Sequence, residues 1–427
     1  MEKIRIEGGH PLSGRVTIGG AKNAALPLIA ATLLVPGKCR LLGVPRLRDI
    51  DTICRLLRIL GVEVSEEDHR LDIDAERIEG TEAPYDLVRK MRASILVLGP
   101  LVGRMGHARI SIPGGCAIGT RPIDLHLKGL QRLGASVTLT HGYAEVRAAK
   151  LRGAEIPLPI PTVTGTANLM MAAVLAEGVT RIENAACEPE VKDLATCLEA
   201  MGARIEGAGT PTVTIEGVTS LHPVEYAIIP DRIEAGTLMV AAAITGGRIT
   251  LEECPLSLLD AVTEKLTEAG VRIEASNETS SPLHNTVTVT GHAPLSPLEI
   301  ETAPYPGFPT DMQAQLMALM SLARGKSVIV ENVFENRFMH VAELRRMGAE
   351  IEVEGRCAVI HGVPALSGAP LMATDLRASA SLILAGLAAR GTTEVHRVYH
   401  LDRGYEALDT KLARLGAVIE RLPDDGP

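Results

Sequence analysis

An α/β chain of two similar domains, each made of three repeats around buried helices, is predicted by two periodic patterns and by the length of 427 residues. The first pattern is a leucine-rich amphipathic stretch that ends on glycine and gives way to alternating apolar residues: LLRILGVEV, LQRLGASV, LEAMGARI, LTEAGVRI, LRRMGAEI and LARLGAVI. Its glycines, Gly61, Gly134, Gly202, Gly270, Gly348 and Gly416, fall 68 to 78 residues apart. Six times over, this reads as a helix closed by a C-terminal glycine and followed by a strand. The second pattern is an almost wholly apolar stretch that also closes on glycine: KNAALPLIAATLLVPG, RASILVLGPLVGRMG, TANLMMAAVLAEG, EAGTLMVAAAITGG, TDMQAQLMALMSLARG and RASASLILAGLAARG. A helix apolar on every face has no side to give to water, so it must be buried in its own domain. Each repeat therefore reads as buried helix, strand, exposed helix, strand. Three such repeats enclose one core and six make two domains, with residues 21–229 in the first and 230–427 in the second.

Composition narrows the function. Apolar residues are 46% of the chain but aromatics only 2%, with no Trp, so the cores must be built from Leu, Ile, Val, Ala and Met. The net charge of -9 argues against a broad surface for nucleic acid, which would need many exposed cations. A local arginine cluster can still hold a small anion. Seven cysteines, an odd number without a CxxC pair or a histidine at ligand spacing, read as free thiols in a reducing cytoplasm and not as a metal site. The N-terminal stretch lacks an apolar targeting segment, and the longest apolar run, AALPLIAATLLV, spans residues 24–35. That is too short to cross a membrane, so no membrane partner is expected.

Charge gathers at the starts of the buried helices. Lys22 and Asn23 open the first, Arg92 the second, Asp311 the fifth and Arg377 the sixth, with Asp375 just before it. A helix start carries unpaired N–H groups and a partial positive charge, so a cation there makes an anion site while costing up to about 1 kcal/mol of local stability. A single such residue would be a surface cation covering apolar neighbours with its stem. Three at equivalent places in a repeat point to a ligand. Asp311 would be an ordinary first-turn acid but for its setting, PGFPTDMQAQ.

Cys116 stands in PGGCAIGTRP, between the strand ARISI and the next amphipathic helix. The glycines make the loop open, and Arg121 together with a following helix start favours the thiolate, so this is the candidate reactive cysteine. The other six cysteines sit in apolar stretches and read as core. Zinc, P-loop, dinucleotide and serine-hydrolase motifs are all missing from the sequence.

The segments GGAKNAALP, MRAS, PGGCAIGTRPIDLH, PTVTGTANLMMAA, PGFPTDMQAQ, ENVFENRFMHV, DLRASAS and YHLDRGYE, in this order over nearly the whole chain, resemble the UDP-N-acetylglucosamine 1-carboxyvinyltransferase family of enolpyruvyl transferases. The sister family of the shikimate pathway lacks a cysteine loop of this kind. The resemblance implies an inside-out α/β barrel in each domain, with buried parallel helices surrounded by sheets and outer helices. It also implies that residues 1–20 complete the second domain and that the active site lies in the cleft between the two.

The implied reaction moves the enolpyruvyl group of phosphoenolpyruvate to the 3-hydroxyl of UDP-N-acetylglucosamine by addition and elimination, releasing phosphate, with no metal or other cofactor. By resemblance Cys116 is the proton donor and the site of a covalent phosphoenolpyruvate adduct, open to alkylation by the phosphonate epoxide fosfomycin. Asp311 is the base or orienter of the hydroxyl. Lys22, Asn23, Arg121, Arg377 and Arg403 hold phosphoenolpyruvate, with Asp375 and Arg337 in support. The nucleotide sugar is expected on Asn23, Arg92, Arg121, Pro122, Ile123, Asp124, Leu125, Thr162, Val163, Thr164, Gly165, Asp311 and Val333.

Overall fold

The computed structural model describes residues 2–112, 123–276, 281 and 283–424, so Cys116, Arg121 and Pro122 lie outside the described residues. By contact density the described chain divides into one unit of residues 20–112 and 123–229 and another of residues 2–19 and 230–424. Gly20 belongs with the first unit and not, as the resemblance implied for residues 1–20, with the second. Its backbone lies so close to Gly43 that a Cβ on Gly20 would sit 1.8 Å from the Gly43 carbonyl oxygen.

Each unit carries three four-stranded sheets of one plan. In the second repeat Glu82–Ala83 runs parallel to His107–Ser111, which pairs antiparallel with Tyr143–Arg147, which pairs antiparallel with Ser136–Thr140. The repeat therefore holds more strand than its sequence pattern announces. A hairpin follows each of the first five outer helices, as in Glu63–Glu67 and Arg70–Asp74, where Asp68 and His69 both take positive φ in the tight turn. The first strand of each hairpin is the one the glycine pattern announces, and the second, which buries alternate residues such as Val213 and Ile215, is the addition.

Three sheets take strands from far along the chain. Glu225–Ala227 closes the first unit by pairing parallel with Lys38–Leu42 of its first repeat. The leading strand Glu2–Glu7 lies between Thr392–His396 and Val418–Pro423, antiparallel to both, with Ile4 opposite Val395 and Arg421. It thus fills the place that a hairpin strand takes in the other repeats. Ser13–Thr17 adds a parallel edge to Arg248–Cys254.

The six apolar stretches form the interiors. In the Lys22–Ala31 helix every residue but Asn23 is buried, and in Arg232–Thr245 the burial runs from Arg232 to Ile244. Full burial of one Leu or Ile is worth about 1.5–3 kcal/mol, which outweighs the poor placement of a Pro or a cation. In the second unit Arg232–Thr245, Gln313–Met320 and Leu376–Ala388 pack on one another. In the first, Lys22–Ala31, Leu98–Met105 and Val163–Ala173 lie in one continuous core. The stretch expected as one helix from Arg92 is split into a 3-10 segment, Arg92–Val97, and an α-helix, Leu98–Met105. Pro100 explains the split, because it has no N–H to give Leu96 and its ring meets that carbonyl.

The outer helices are amphipathic as their spacing predicts: Arg48–Ile59 buries Ile50, Ile53, Cys54, Leu56 and Leu57. All six glycines that follow the outer helices have positive φ, from 88° at Gly61 to 104° at Gly202. Of the six cysteines expected in cores, Cys39, Cys54, Cys197 and Cys254 are buried, while Cys187 and Cys357 are only half-buried because they flank surface turns. No helix among the described residues is long and apolar enough to cross a membrane.

Arg104 joins the repeats of the first unit. Its guanidinium donates to the carbonyls of Leu33 at 3.0 Å, Val35 at 3.1 Å, Ala75 at 2.8 Å and Glu76 at 3.2 Å. It satisfies the end of the first buried stretch, where helix carbonyls have no partner of their own. Arg104→Ala should lower the free energy of unfolding by at least about 2 kcal/mol, read from the urea midpoint, since it strands several buried carbonyls at once.

Candidate active site

In the first unit the cation that opens the first buried helix has its own counter-charge. Lys22 is 7% exposed, and its Nζ lies 2.6 Å from Oδ2 of Asp49, in the first turn of Arg48–Ile59. Asp49 thus offsets the unfavourable helix start under Lys22, and it sits where a helix favours an acid. Asn23 beside it is exposed.

Arg92, half-buried at the head of its 3-10 segment, acts on His126. The His126 ring is buried, with Nδ1 2.9 Å from Nδ2 of Asn168 and Nε2 3.4 Å from Oγ1 of Thr164. Asn168 is held in one orientation, because its Oδ1 accepts from Gly99 N at 2.7 Å and its Nδ2 donates to Ile95 O at 2.9 Å. Nδ1 of His126 is therefore an acceptor, and the neutral ring carries its hydrogen on Nε2, facing Thr164. Burial, and then the charge of Arg92, pull its pKa down to about 4. Thr162 caps Val163–Ala173 by accepting from Gly165 N at 3.3 Å, with Val163 exposed, Thr164 half-buried and Gly165 buried. Ile123 is buried, and Asp124 and Leu125 half-buried, at the start of Asp124–Arg132, where Asp124 pairs with Lys128 at 3.0 Å.

In the second unit Asp311 is held from both sides. Nη2 of Arg337 lies 2.8 Å from its Oδ1 and Nη2 of Arg377 2.9 Å from its Oδ2. The arginine side chains are only 5% and 3% exposed, against 25% for Asp311, so the carboxylate opens outward from two sunken cations. Burial pushes the Asp311 carboxyl up, but Arg377 and then Arg337 outweigh it and hold it well below the usual carboxylate range. Such a carboxylate stays ionised, and therefore able to accept a hydrogen bond, at neutral pH. Nε and Nη1 of Arg377 and Nε of Arg337 are buried without a hydrogen-bond partner among the described residues, leaving donor capacity for an anion.

Asp375 caps Leu376–Ala388, accepting from Arg377 N at 2.9 Å and Ala378 N at 3.0 Å. Arg403 ends the 3-10 segment Val398–Arg403 half-buried, and it and Asp375 both act on the His400 ring, whose pKa is lowered by burial first and Arg403 second. Val333 N donates to Glu331 at 2.8 Å. A surface depression lined by Gly106, Gly134, Ser136 and Arg147 contains none of these residues. Among the described residues no group of three or more His, Cys, Asp or Glu could hold a metal.

Sequence reasoning missed Asp49, His126, Asp231 and Glu331. Asp231 caps Arg232–Thr245 through Ile233 N at 2.8 Å and Glu234 N at 3.0 Å, and its charge reaches Arg377. The fourth buried helix thus has a charged start like the first, second, fifth and sixth, and the repeat itself was the signal that could have found it. Phe308 lies in the core of the second unit, and Phe334 lies against the Arg337 guanidinium at 5.2 Å.

The family described as EPSP synthase (3-phosphoshikimate 1-carboxyvinyltransferase) matches residues 6–412. The UDP-N-acetylglucosamine 1-carboxyvinyltransferase of Desulfatibacillum aliphaticivorans is 58% identical over 422 residues, covering 99% of this chain and all of the relative. That of Desulfosudis oleivorans is 57% identical over the same length. The chain belongs to the enolpyruvyl transferases. Among solved structures, the enolpyruvyl transferase NikO from Streptomyces tendae superposes with a TM-score of 0.86 at 28% identity, over 99% of both chains. EPSP synthase from Acinetobacter baumannii, at 19% identity and a TM-score of 0.76, shares the fold. The likeness agrees with the six-sheet, two-unit plan, although each sheet of this transferase is open and none closes into a barrel.

The buried His126 of this transferase gives a pH test. Its folded pKa lies below the unfolded value, so the unfolded chain binds more protons between the two, and stability falls as pH drops from about 6.5 to about 4. His126→Asn removes that contribution. The urea midpoint should then fall less between pH 7 and pH 4.5 in the variant than in the parent.

Proposed function

We propose that this transferase moves the enolpyruvyl group of phosphoenolpyruvate to the 3-hydroxyl of UDP-N-acetylglucosamine and releases phosphate, the first committed step of peptidoglycan synthesis, in the cytoplasm. The observation that carries this reading is the 58% identity, over 99% of the chain, with a relative named for that reaction. The charged helix starts support it. Phosphoenolpyruvate brings a phosphate and a carboxylate, and Lys22, Arg377 and Arg403, with Asn23 and Arg121, supply donors for both. The nucleotide sugar draws on Arg92, the Thr162 to Gly165 turn, residues 121–125 and Val333.

Asp311, kept ionised by its two arginines, holds the 3-hydroxyl and takes its proton as the oxygen attacks carbon 2 of phosphoenolpyruvate, and that proton leaves with the phosphate. Cys116 gives a proton to the methylene carbon. The adduct then loses phosphate, and a proton leaves the same carbon as the double bond reforms. Proton transfer and charge stabilisation rest on side chains. Lys22 and Arg92 belong to one unit and Asp311, Arg377 and Arg403 to the other, so the reading requires both units to serve one reaction.

Two measurements test it. Phosphate should appear when phosphoenolpyruvate and UDP-N-acetylglucosamine are supplied together, and not when shikimate 3-phosphate replaces the sugar; the reverse result would place the chain with the sister activity. Fosfomycin should label Cys116 alone and abolish turnover. Burial pushes the Cys54 and Cys254 thiols up to about 12, so competing label on either by mass spectrometry would count against the assignment.

A further inference from the structure

Glu331 lies at the end of the strand Lys326–Val330 and is 1% exposed. Its Oε1 accepts from Thr302 Oγ1 at 2.9 Å, Val333 N at 2.8 Å and Phe334 N at 3.0 Å. Those three donors fix the carboxylate. Its Oε2 accepts from Thr310 Oγ1 at 2.8 Å, and the same hydroxyl oxygen accepts from Nη1 of Arg337 at 3.1 Å. A hydroxyl has one hydrogen, and here it is committed to Glu331, so the lone pairs of Thr310 are turned toward Arg337. The guanidinium is a rigid fork. With Nη1 on Thr310 and one face against Phe334, its Nη2 is aimed at Oδ1 of Asp311, 2.8 Å away.

We propose that Glu331 is a positioning residue for the transfer, acting through Thr310 on Arg337 and through Arg337 on the Asp311 carboxylate. The proposal rests on the function proposed above. Glu331 touches no reacting atom. Its place in the chain of contacts is to hold one of the two cations that keep Asp311 anionic and pointed at the hydroxyl it orients. The other cation, Arg377, has no hydrogen bond to Thr310 or Glu331 among the described residues, so loss of the Glu331 link releases one side of Asp311 and leaves the other.

Glu331→Ala would strand four donors and endanger the fold, so the link is best cut one step away. Thr310→Val breaks it and leaves the three bonds to Oε1; Thr310→Ser keeps the hydroxyl. Thr302→Val removes an anchor of Glu331 that lies outside the line to Arg337. In the phosphate-release assay, Thr310→Val should lower kcat about tenfold to a hundredfold, the scale set by small misplacement of a positioned group. Thr310→Ser should recover most of it, and Thr302→Val should stay within about twofold of the parent even where its urea midpoint falls.

A second readout needs no turnover. The groups that face Asp311 are Arg337 and Arg377; Asp231 acts on Arg377 from behind, and His340 stands beside Arg337 with Asp375 near it. The carbon NMR shift of the Asp311 carboxyl at neutral pH, identified by its absence in Asp311→Asn, should change in Thr310→Val and stay in place in Thr302→Val. Equal kinetic loss in the Val variants at 302 and 310, or an unchanged Asp311 carboxyl shift in Thr310→Val, would overturn the proposal. A parent that releases no phosphate would retire the proposed function instead, and the NMR arm alone would then decide whether Glu331 controls Asp311.

Discussion

The structure depends on one constraint: helices without a polar face can carry charge only at their ends. Lys22–Ala31 and Arg232–Thr245 are buried almost from end to end, and so is Leu376–Ala388 from Arg377 to Leu387. Once a helix is enclosed by its own domain, the first turn is the place where a charged side chain can still reach an ion partner or a ligand. The repeat offers such a start six times, and charged side chains stand at five of them, the Thr162 start of Val163–Ala173 being the exception. Chemistry at the helix starts follows from packing around the rest of each helix.

A cation at a helix start is out of place, and in each unit an acid offsets it. Lys22 is met by Asp49 from the first turn of a neighbouring helix, where an acid is itself favoured. Arg377 is met by Asp311, and Arg337 joins from outside the buried helices. A buried ion pair recovers little net stability over an apolar pair of the same size, because both charges lose water. These pairs are therefore better understood as holding charged groups in place than as holding the domain together. The asymmetry around Asp311 carries the same message: two arginines are sunk below a carboxylate that remains partly open, and several of their nitrogens still lack acceptors.

The repeat is closed by exchange along the chain. Glu225–Ala227 returns to the first sheet of its unit, and Glu2–Glu7 enters the last sheet of the other as a central strand. An open repeat would leave unpaired sheet edges, which invite association, and pairing the ends of a unit reduces them. The arrangement also explains why a leading segment with no helix of its own belongs to the unit built mainly from the distant half of the sequence.

The sequence by itself determined what depends on side-chain type at short range. Six amphipathic helices ending on glycines with positive φ, six apolar stretches and the charged residues at four of their starts were legible, because periodicity and capping are local physics. Only the first strand of each hairpin was read, because the pattern was followed no further than the residues after the glycine, and the break at Leu98 needed the clash of Pro100 to be weighed against an otherwise continuous apolar run. Tertiary structure alone decided the partners. That Asp49 neutralises Lys22, that His126 stands between Asn168 and Thr164 as a neutral ring, and that Glu331 reaches Asp311 through a threonine and an arginine are matters of contact between residues 27 to 42 positions apart for the first two and across a three-link chain for the third. Spacing along a chain holds no record of such contacts, because they exist only after separate elements have been packed against one core.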